Sequence, residues 1–444
     1  MRVYLETHGC QMNVSDSERA ATRLRADGFE LAETTENADV IILNTCSVRE
    51  RAEQKVFHRI SDIKRSGGGN RPIIGVMGCV AQLEGDALFE RDTSLRMVIG
   101  TGATDRLPEL LRRVSEDSVR VIDLGGRVEK ETWEVSPVER HSKHIALVPI
   151  IEGCNKFCTY CIVPYSRGRE RSRTAAEIIR QVRQLFVQGY REVQLIGQNV
   201  NSFRPKTEEG LEPFPGATPF SRLLRAVAST GMPRIKFTTS FPRDFHADIV
   251  KAIEEHENLC NWIHLPVQSG NNRVLRAMRR GHRIEDYLKS VELIKNSRRK
   301  LALTSDIIVG FPGETVEEFE DTLRLAEQCR FEGLYIFKYS VRGRTPAAKL
   351  KDSVSAAEKT RRFLALEKLQ MSIQRELYKA YVGTTFEVLV EGFSARSSED
   401  LTGHTSCNKV LNFRGHSGLI GKIVKVYVRE AKPHSLYGEL AAEV

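Results

Sequence analysis

Aromatic residues are scarce in this chain, 7% of 444 residues with two tryptophans. Long apolar runs are absent as well. No stretch approaches the roughly 20 residues that a membrane-crossing helix needs, which excludes a membrane-spanning helix. The first residues, Met1-Arg2-Val3-Tyr4-Leu5-Glu6-Thr7, lack the apolar core and small-residue cleavage site of a secretory signal. They read as a strand, and the expected location is the cytoplasm. Composition gives no sign of long disordered stretches. A second CxxC or an HxxxH pair occurs nowhere, so the usual two-element zinc signature is missing.

What is present is an odd count of nine cysteines, most of them far apart. In a reducing compartment that favours metal ligation or catalysis over disulfides. The net charge of +9 fits a polyanionic partner such as RNA, although such charge also solvates an ordinary large surface. The length allows two to four domains.

One stretch is dense in cysteine: Cys154-Asn155-Lys156-Phe157-Cys158-Thr159-Tyr160-Cys161, after a strand expected at 145–150. A [4Fe–4S] cluster takes four thiolates, one per iron. Three thiolates leave one iron open to a substrate or cofactor. The alternative is a structural zinc site completed by His141 or His144; the missing second ligand pair weighs against it.

Residues 1–117 alternate strand-like runs at 2–6, 40–43, 73–77 and 97–99 with helical patterns at 15–27 and 50–65. That alternation implies a doubly wound α/β domain with a mostly parallel sheet, whose ligands gather at the carboxyl ends of strands. Cys10, Cys46 and Cys79 follow three of these strands, each beside an expected helix start, where free amides and the helix dipole stabilise thiolates. If the strands are neighbours, the three sulfurs converge into a second three-cysteine set. Singly, each is equally a small buried hydrophobe.

Residues 115–143 read as a linker with a short strand at 119–123. From 145 to about 340 the alternation resumes, with strands expected at 145–150, 192–196, 235–239, 262–267, 301–309 and 334–339. Helices are expected at 175–188, 220–229, 244–256, 283–296 and 315–329. Six such units make an incomplete (β/α)6 barrel over 140–372, with its chemistry on the loops after the strands. Those loops carry polar and glycine-rich turns that suit an adenosine-bearing ligand. Arg167, Arg169, Arg171 and Arg173 alternate after the cysteine loop, either to hold phosphate or carboxylate or as a solvated edge. Cys260 and Cys329 are expected in the core. A long helix at 355–380 leads into short strands at 385–391, 401–405, 409–413, 421–429 and 435–439. These form a small antiparallel β-barrel over 375–440, with Phe413 and Tyr427 available to stack on RNA. The alternative is a packing module.

At these residues the chain resembles a known family. The triplet Cys154-x3-Cys158-x2-Cys161 is similar to the signature of the radical S-adenosylmethionine (SAM) superfamily. Gly9-Cys10-Gln11-Met12-Asn13, Asn44-Thr45-Cys46-Ser47-Val48-Arg49-Glu50, and Gly153-Cys154-Asn155 with Val163-Pro164-Tyr165-Ser166-Arg167-Gly168 resemble the methylthiotransferases, and the C-terminal barrel resembles their TRAM domain. Asn44 to Glu50 and Cys407-Asn408-Lys409-Val410-Leu411-Asn412-Phe413 look most like the branch that adds a 2-methylthio group to isopentenyladenosine in tRNA, beside the anticodon. The resemblance implies two [4Fe–4S] clusters, one on Cys154, Cys158 and Cys161 and one on Cys10, Cys46 and Cys79. It implies SAM contacts at Gln198, Asn199, Ser240, Gln268, Asp306 and Gly310. It also implies a tRNA anticodon stem-loop as partner, an electron donor such as flavodoxin or ferredoxin, and a sulfur source. Two other readings stand beside it: methylthiolation of a ribosomal-protein side chain, and a non-enzymatic iron–sulfur RNA-binding sensor.

Overall fold

The computed structural model describes residues 1–47, 50–66, 72–116, 119–126 and 133–441. Val48 and Arg49 of the Asn44 to Glu50 motif, and the domain boundary expected at 117, lie outside the described residues. By contacts the chain forms two compact units. One is Met1–Ser142 with Glu152–Asn155 and Cys161–Glu170. The other is Lys143–Ile151 with Lys156–Tyr160 and the chain from Arg171 onward.

The first unit holds six strands: β1 (Arg2–His8), β2 (Glu30–Leu31), β3 (Val40–Thr45), β4 (Ile73–Gly78), β5 (Leu95–Ile99) and β6 (Val121–Asp123). All pairings are parallel, in the order β2-β1-β3-β4-β5-β6. β3 reads Val-Ile-Ile-Leu without polar interruption because both faces are covered. Val40 and Ile42 join Ala20, Leu24, Leu107 and Leu111 on one side. Ile41 and Leu43 join Val56, Ile60, Val80 and Leu88 on the other. The sheet is doubly wound. Its order reverses between β1 and β3, the switch point where such sheets open a crevice at their carboxyl ends.

The segment expected as a linker is partly built into this unit. β6 is the sixth strand. The Ser136 N–H donates to Thr22 Oγ1 at 3.0 Å and the His141 N–H to Glu18 Oε1 at 2.9 Å. The Arg19 guanidinium lies 4.4 Å from the centre of the Trp133 ring. A run without periodicity is strapped down by polar side chains of the helix Gln11–Ala26, which periodicity does not reveal.

The second unit carries six parallel strands, Ile145–Pro149, Glu192–Ile196, Arg234–Phe237, Trp262–His264, Ala302–Val309 and Gly333–Lys338. They form two three-stranded sheets; an isolated parallel bridge pairs Ile235 of the first with Leu259, in the segment that leads into Trp262–His264. Helices Ala175–Val187, Pro219–Ala228, Ala247–Glu255, Ile284–Lys295 and Val316–Cys329 alternate with them. Three of these start on threonine caps, Thr174, Thr218 and Thr315, the last in a capping box with Glu318. The result is a partial (β/α)6 barrel. Cys260 and Cys329 are buried.

After the helix Ala356–Lys379, five strands close into a small barrel. Four of its pairings are antiparallel; Val410–Arg414 and Leu436–Leu440 pair in parallel. A closed ring of five cannot alternate direction throughout, so one parallel pair is obligatory. Phe413 is fully buried in this barrel, not free to stack. Among the described residues no helix is long and apolar enough to cross a membrane.

Candidate metal centre and cofactor rim

In the first unit, register sets His8 beside Thr45 and Thr45 beside Gly78. Cys10, Cys46 and Cys79 follow at once, so three cysteines leave the same sheet edge at the switch point. Cys46 hydrogen-bonds Cys10, and Cys79 lies close enough to feel the charge on Cys10. Two buried asparagines hold this edge. Asn13 Oδ1 accepts from the Cys10 N–H and thiol, both at 3.3 Å. Its Nδ2 donates to Asn44 Oδ1 at 3.1 Å and to the Thr45 carbonyl at 3.3 Å. Asn44 Nδ2 returns to the Asn13 carbonyl at 2.8 Å. Gly78 has φ +92°; a Cβ there would stand 2.8 Å from the Thr45 carbonyl oxygen and against Asn44. Only glycine lets Cys79 follow β4 so closely.

The thiols differ in acidity. Cys10 caps the helix Gln11–Ala26, and its pKa is lowered to about 6. The hydrogen bond from Cys46 is the chief cause. Burial opposes it, and Arg167 and the amides of Asn13 and Met12 add to it. Burial pushes the Cys79 thiol up, against the pull of Arg167. Arg167 is itself buried, donating to Asp16 at 2.7 Å and Glu152 at 2.8 Å. Burial works against its charge, but Asp16, Cys79, Glu152 and Cys10 outweigh that and hold it firmly protonated.

Three thiols at one sheet edge, with Cys10 and Cys79 in reach of the charge on buried Arg167, fit a cluster bound by thiolates and tuned by nearby charge. Among the described residues no three His, Cys, Asp or Glu side chains crowd the position of a single metal ion. A four-iron cluster is wider than one ion, and its ligands stand correspondingly farther apart.

Of the triplet, Cys154 and Cys161 belong to the first unit and Cys158 to the second. In the first, Gly153 has φ +78°, and a Cβ there would meet the Gly168 carbonyl oxygen at 2.7 Å. The Cys154 N–H donates to that oxygen at 3.1 Å. In the second, Cys158 is buried and its Sγ accepts from Arg280 Nη1 at 3.6 Å. Arg280 also donates to Tyr160 Oη at 3.4 Å and the Pro266 carbonyl at 2.6 Å. Thr159 is clamped by the carbonyls of Met278 at 3.0 Å and Ala277 at 2.8 Å.

The barrel rim gathers the other candidates. Gln198 and Asn199 follow Glu192–Ile196, Ser240 follows Arg234–Phe237, and Gln268 follows Trp262–His264. Asp306 lies within Ala302–Val309, and Gly310 follows it. Five of the six follow their strands on the carboxyl side, where barrel chemistry sits, and Asp306 is inside its own. The Ser240 N–H donates to the His264 carbonyl at 3.0 Å and the Gln268 N–H to the Asp306 carbonyl at 2.8 Å. Thr239 and Gln268 have φ +72° and +80°, strained for side chains of their kind and typical of ligand clamps. The hydroxyls of Thr238 and Ser240 are buried without a hydrogen-bond partner among the described residues. Orphaned hydroxyls at a strand end fit a polar ligand such as SAM.

Three family models match the chain: Radical SAM superfamily over residues 148–326, Uncharacterized protein family UPF0004 over 2–100, and TRAM domain over 379–441. The tRNA-2-methylthio-N(6)-dimethylallyladenosine synthase of Koribacter versatilis (strain Ellin345) is 45% identical over 443 residues, covering 98% of this chain and 97% of that protein. The synthase of the same name from Aquifex aeolicus (strain VF5) is 41% identical over 443 residues, covering 99% and 98%. The chain belongs to this synthase family. Among solved structures, radical S-adenosylmethionine methyltransferase TsrM from Kitasatospora setae, with cobalamin and a [4Fe–4S] cluster bound, superposes with a TM-score of 0.56. It is 15% identical and covers 78% of this chain and 77% of that one, a likeness of fold alone.

For this synthase-family chain the structure also corrects the arginine row. Arg169 and Arg171 are exposed, but Arg167 is buried as described and Arg173 is buried against the Pro149 carbonyl and Gln181, both at 2.9 Å. Alternation along a loop does not reveal a carboxylate 151 positions away, as Asp16 is from Arg167. The 407–413 motif is an anchor. Buried Lys409 pairs with Glu332 at 2.8 Å, and Asn408 accepts from Lys236 at 2.8 Å. Arg280 had one legible sign, the cation-dense run Arg276 to Arg283, which does not say which arginine turns inward.

Proposed function

We propose that the protein is a radical SAM tRNA methylthiotransferase that converts N6-isopentenyladenosine beside the anticodon to its 2-methylthio form. The reading is carried by the convergence of Cys10, Cys46 and Cys79 on one sheet edge, in a chain 40–45% identical along nearly its whole length to named synthases. Cys10, Cys46 and Cys79 would hold one [4Fe–4S] cluster and Cys154, Cys158 and Cys161 another, each with one iron free of protein ligands. Clusters and SAM together supply the one-electron and sulfur chemistry that a strong, barely acidic C2–H bond demands and no side chain offers.

The chain's own residues bind and orient. Gln198, Asn199, Ser240, Gln268, Asp306 and Gly310 offer polar groups and close backbone to SAM. Arg280 donates to the Cys158 sulfur, and Arg167 offsets thiolate charge at Cys10 and Cys79. In this reading 1–117 carries the second cluster, 140–372 is the radical SAM core and 375–440 binds the anticodon stem-loop. The work takes place in the cytoplasm, with a flavodoxin- or ferredoxin-like electron donor and a separate sulfur source.

The test is anaerobic incubation of the reconstituted protein with prenylated tRNA, SAM, sulfide and reductant, followed by nucleoside mass spectrometry. The expected product is the prenylated adenosine with one hydrogen replaced by methylthio. An unchanged nucleoside beside a methylthiolated ribosomal-protein peptide would overturn the substrate.

A further inference from the structure

We propose that the turn from Arg276 to Arg283 forms a phosphate-binding site for the RNA backbone at the barrel rim; the proposal rests on the tRNA reading above. A cavity of about 460 Å³ opens there, lined by Arg276, Arg279, His282, Arg283 and Asp286 among others. Arg283 is held by Glu285 at 3.0 Å. Arg276 and Arg279 are exposed and make no ion pair or side-chain hydrogen bond among the described residues. Arg276 and Arg279 outweigh the one carboxylate of the lining, Asp286, and a bound anion would offset that positive excess. The guanidinium fork matches phosphate oxygens bidentately.

The backbone binds this cavity to the cysteine loop. Arg279 has φ +55°, a costly conformation for arginine. Just before Arg279 in the chain, Ala277 and Met278 clamp Thr159 through their carbonyls, and just after it Arg280 turns inward onto Cys158. A phosphate seated on Arg276 and Arg279 would therefore be set in register with the cysteine loop by one rigid turn.

The experiment is fluorescence anisotropy with the full-length, cluster-reconstituted protein. A labelled prenylated anticodon stem-loop and a stem-loop of scrambled loop sequence are each titrated at several salt concentrations. Arg276→Gln/Arg279→Gln is expected to weaken both RNAs by the same factor. The slope of log affinity against log salt should become shallower by about 0.7–0.9 per lost contact. Arg276→Lys/Arg279→Lys keeps the charge and should keep the wild-type slope. If the double glutamine variant does not fold, each single variant should show about half the slope change. Unchanged RNA affinity and slope would overturn the site. Product analysis is scored separately: wild-type protein that binds RNA with the full slope but modifies no nucleoside removes the substrate reading and leaves the phosphate site standing.

Discussion

Cys10 and Cys79 leave the same sheet edge yet differ in acidity, because one ends at a helix start beside a thiol donor and the other is sealed from water. In reduced, cluster-free protein at pH 7, Cys10 is therefore mostly thiolate and Cys79 is a thiol. Iodoacetamide followed by peptide mapping should label Cys10 well before Cys79. The Cys10 rate should fall as pH drops through about 6, where protonation removes the nucleophile; a midpoint near the ordinary value of 9.0 would count against the site geometry. Arg167 tests the same residues from the other side. Arg167→Gln strands Asp16 and Glu152 as buried carboxylates, and breaking such a pair costs about 3–5 kcal/mol. It also removes a cation that favours the Cys10 thiolate, so the alkylation midpoint should move upward as urea stability falls. A stability loss with the midpoint unmoved would make Arg167 a purely structural ion.

At the scale of elements, the small barrel is tied to the (β/α)6 core by buried polar contacts. The Arg234 guanidinium donates to the His404 and Thr405 carbonyls at 2.8 and 2.9 Å, and Glu332 is shared by Lys409 and the Tyr381 hydroxyl at 2.8 and 2.6 Å. Lys409→Ala leaves Glu332 buried without its counter-charge and should cost about 3 kcal/mol in urea unfolding. Arg429→Ala, which removes an exposed, solvent-screened pair with Glu439, should leave the urea midpoint essentially unmoved. Equal costs would mean that the junction is solvated. These elements were unevenly legible in the sequence. The barrel helices announce themselves by threonine caps and apolar periodicity, and the strands by runs such as Val40 to Leu43. Phe413 did not, because strict alternation in a closed barrel marks two faces without naming the inner one. Nor did Lys409, whose partner Glu332 is distant in sequence. The placement of Cys10, Cys46 and Cys79 just after strands was legible because a strand end is a local feature. The ion pairs around Arg167 and the turn at Arg280 depend on contacts between distant segments, which local pattern does not carry.

For the whole molecule, the deciding feature is that the two cysteine sets share no residue and arise from different kinds of structure. One set is assembled by strand order: β1, β3 and β4 must be neighbours in register, with Asn13 and Asn44 bonded across them. The other is a single eight-residue stretch whose spacing needs no sheet at all. Their losses should then be separable. With Cys10, Cys46 and Cys79 all changed to alanine, anaerobically reconstituted protein should retain about four irons, one cluster's worth. It should still yield 5′-deoxyadenosine from SAM under reductant while forming no methylthio product. With Cys154, Cys158 and Cys161 changed instead, iron should again fall to about four per chain, and 5′-deoxyadenosine formation should stop altogether. Iron and sulfide analysis with chromatography of the nucleosides reads both arms. If the first variant keeps the wild-type iron content, the sheet-edge cysteines hold no cluster, and the convergence at the switch point must be explained by packing alone. If instead both variants lose all iron, the sets are interdependent, and a loop motif that is self-sufficient in its spacing is not self-sufficient in the fold.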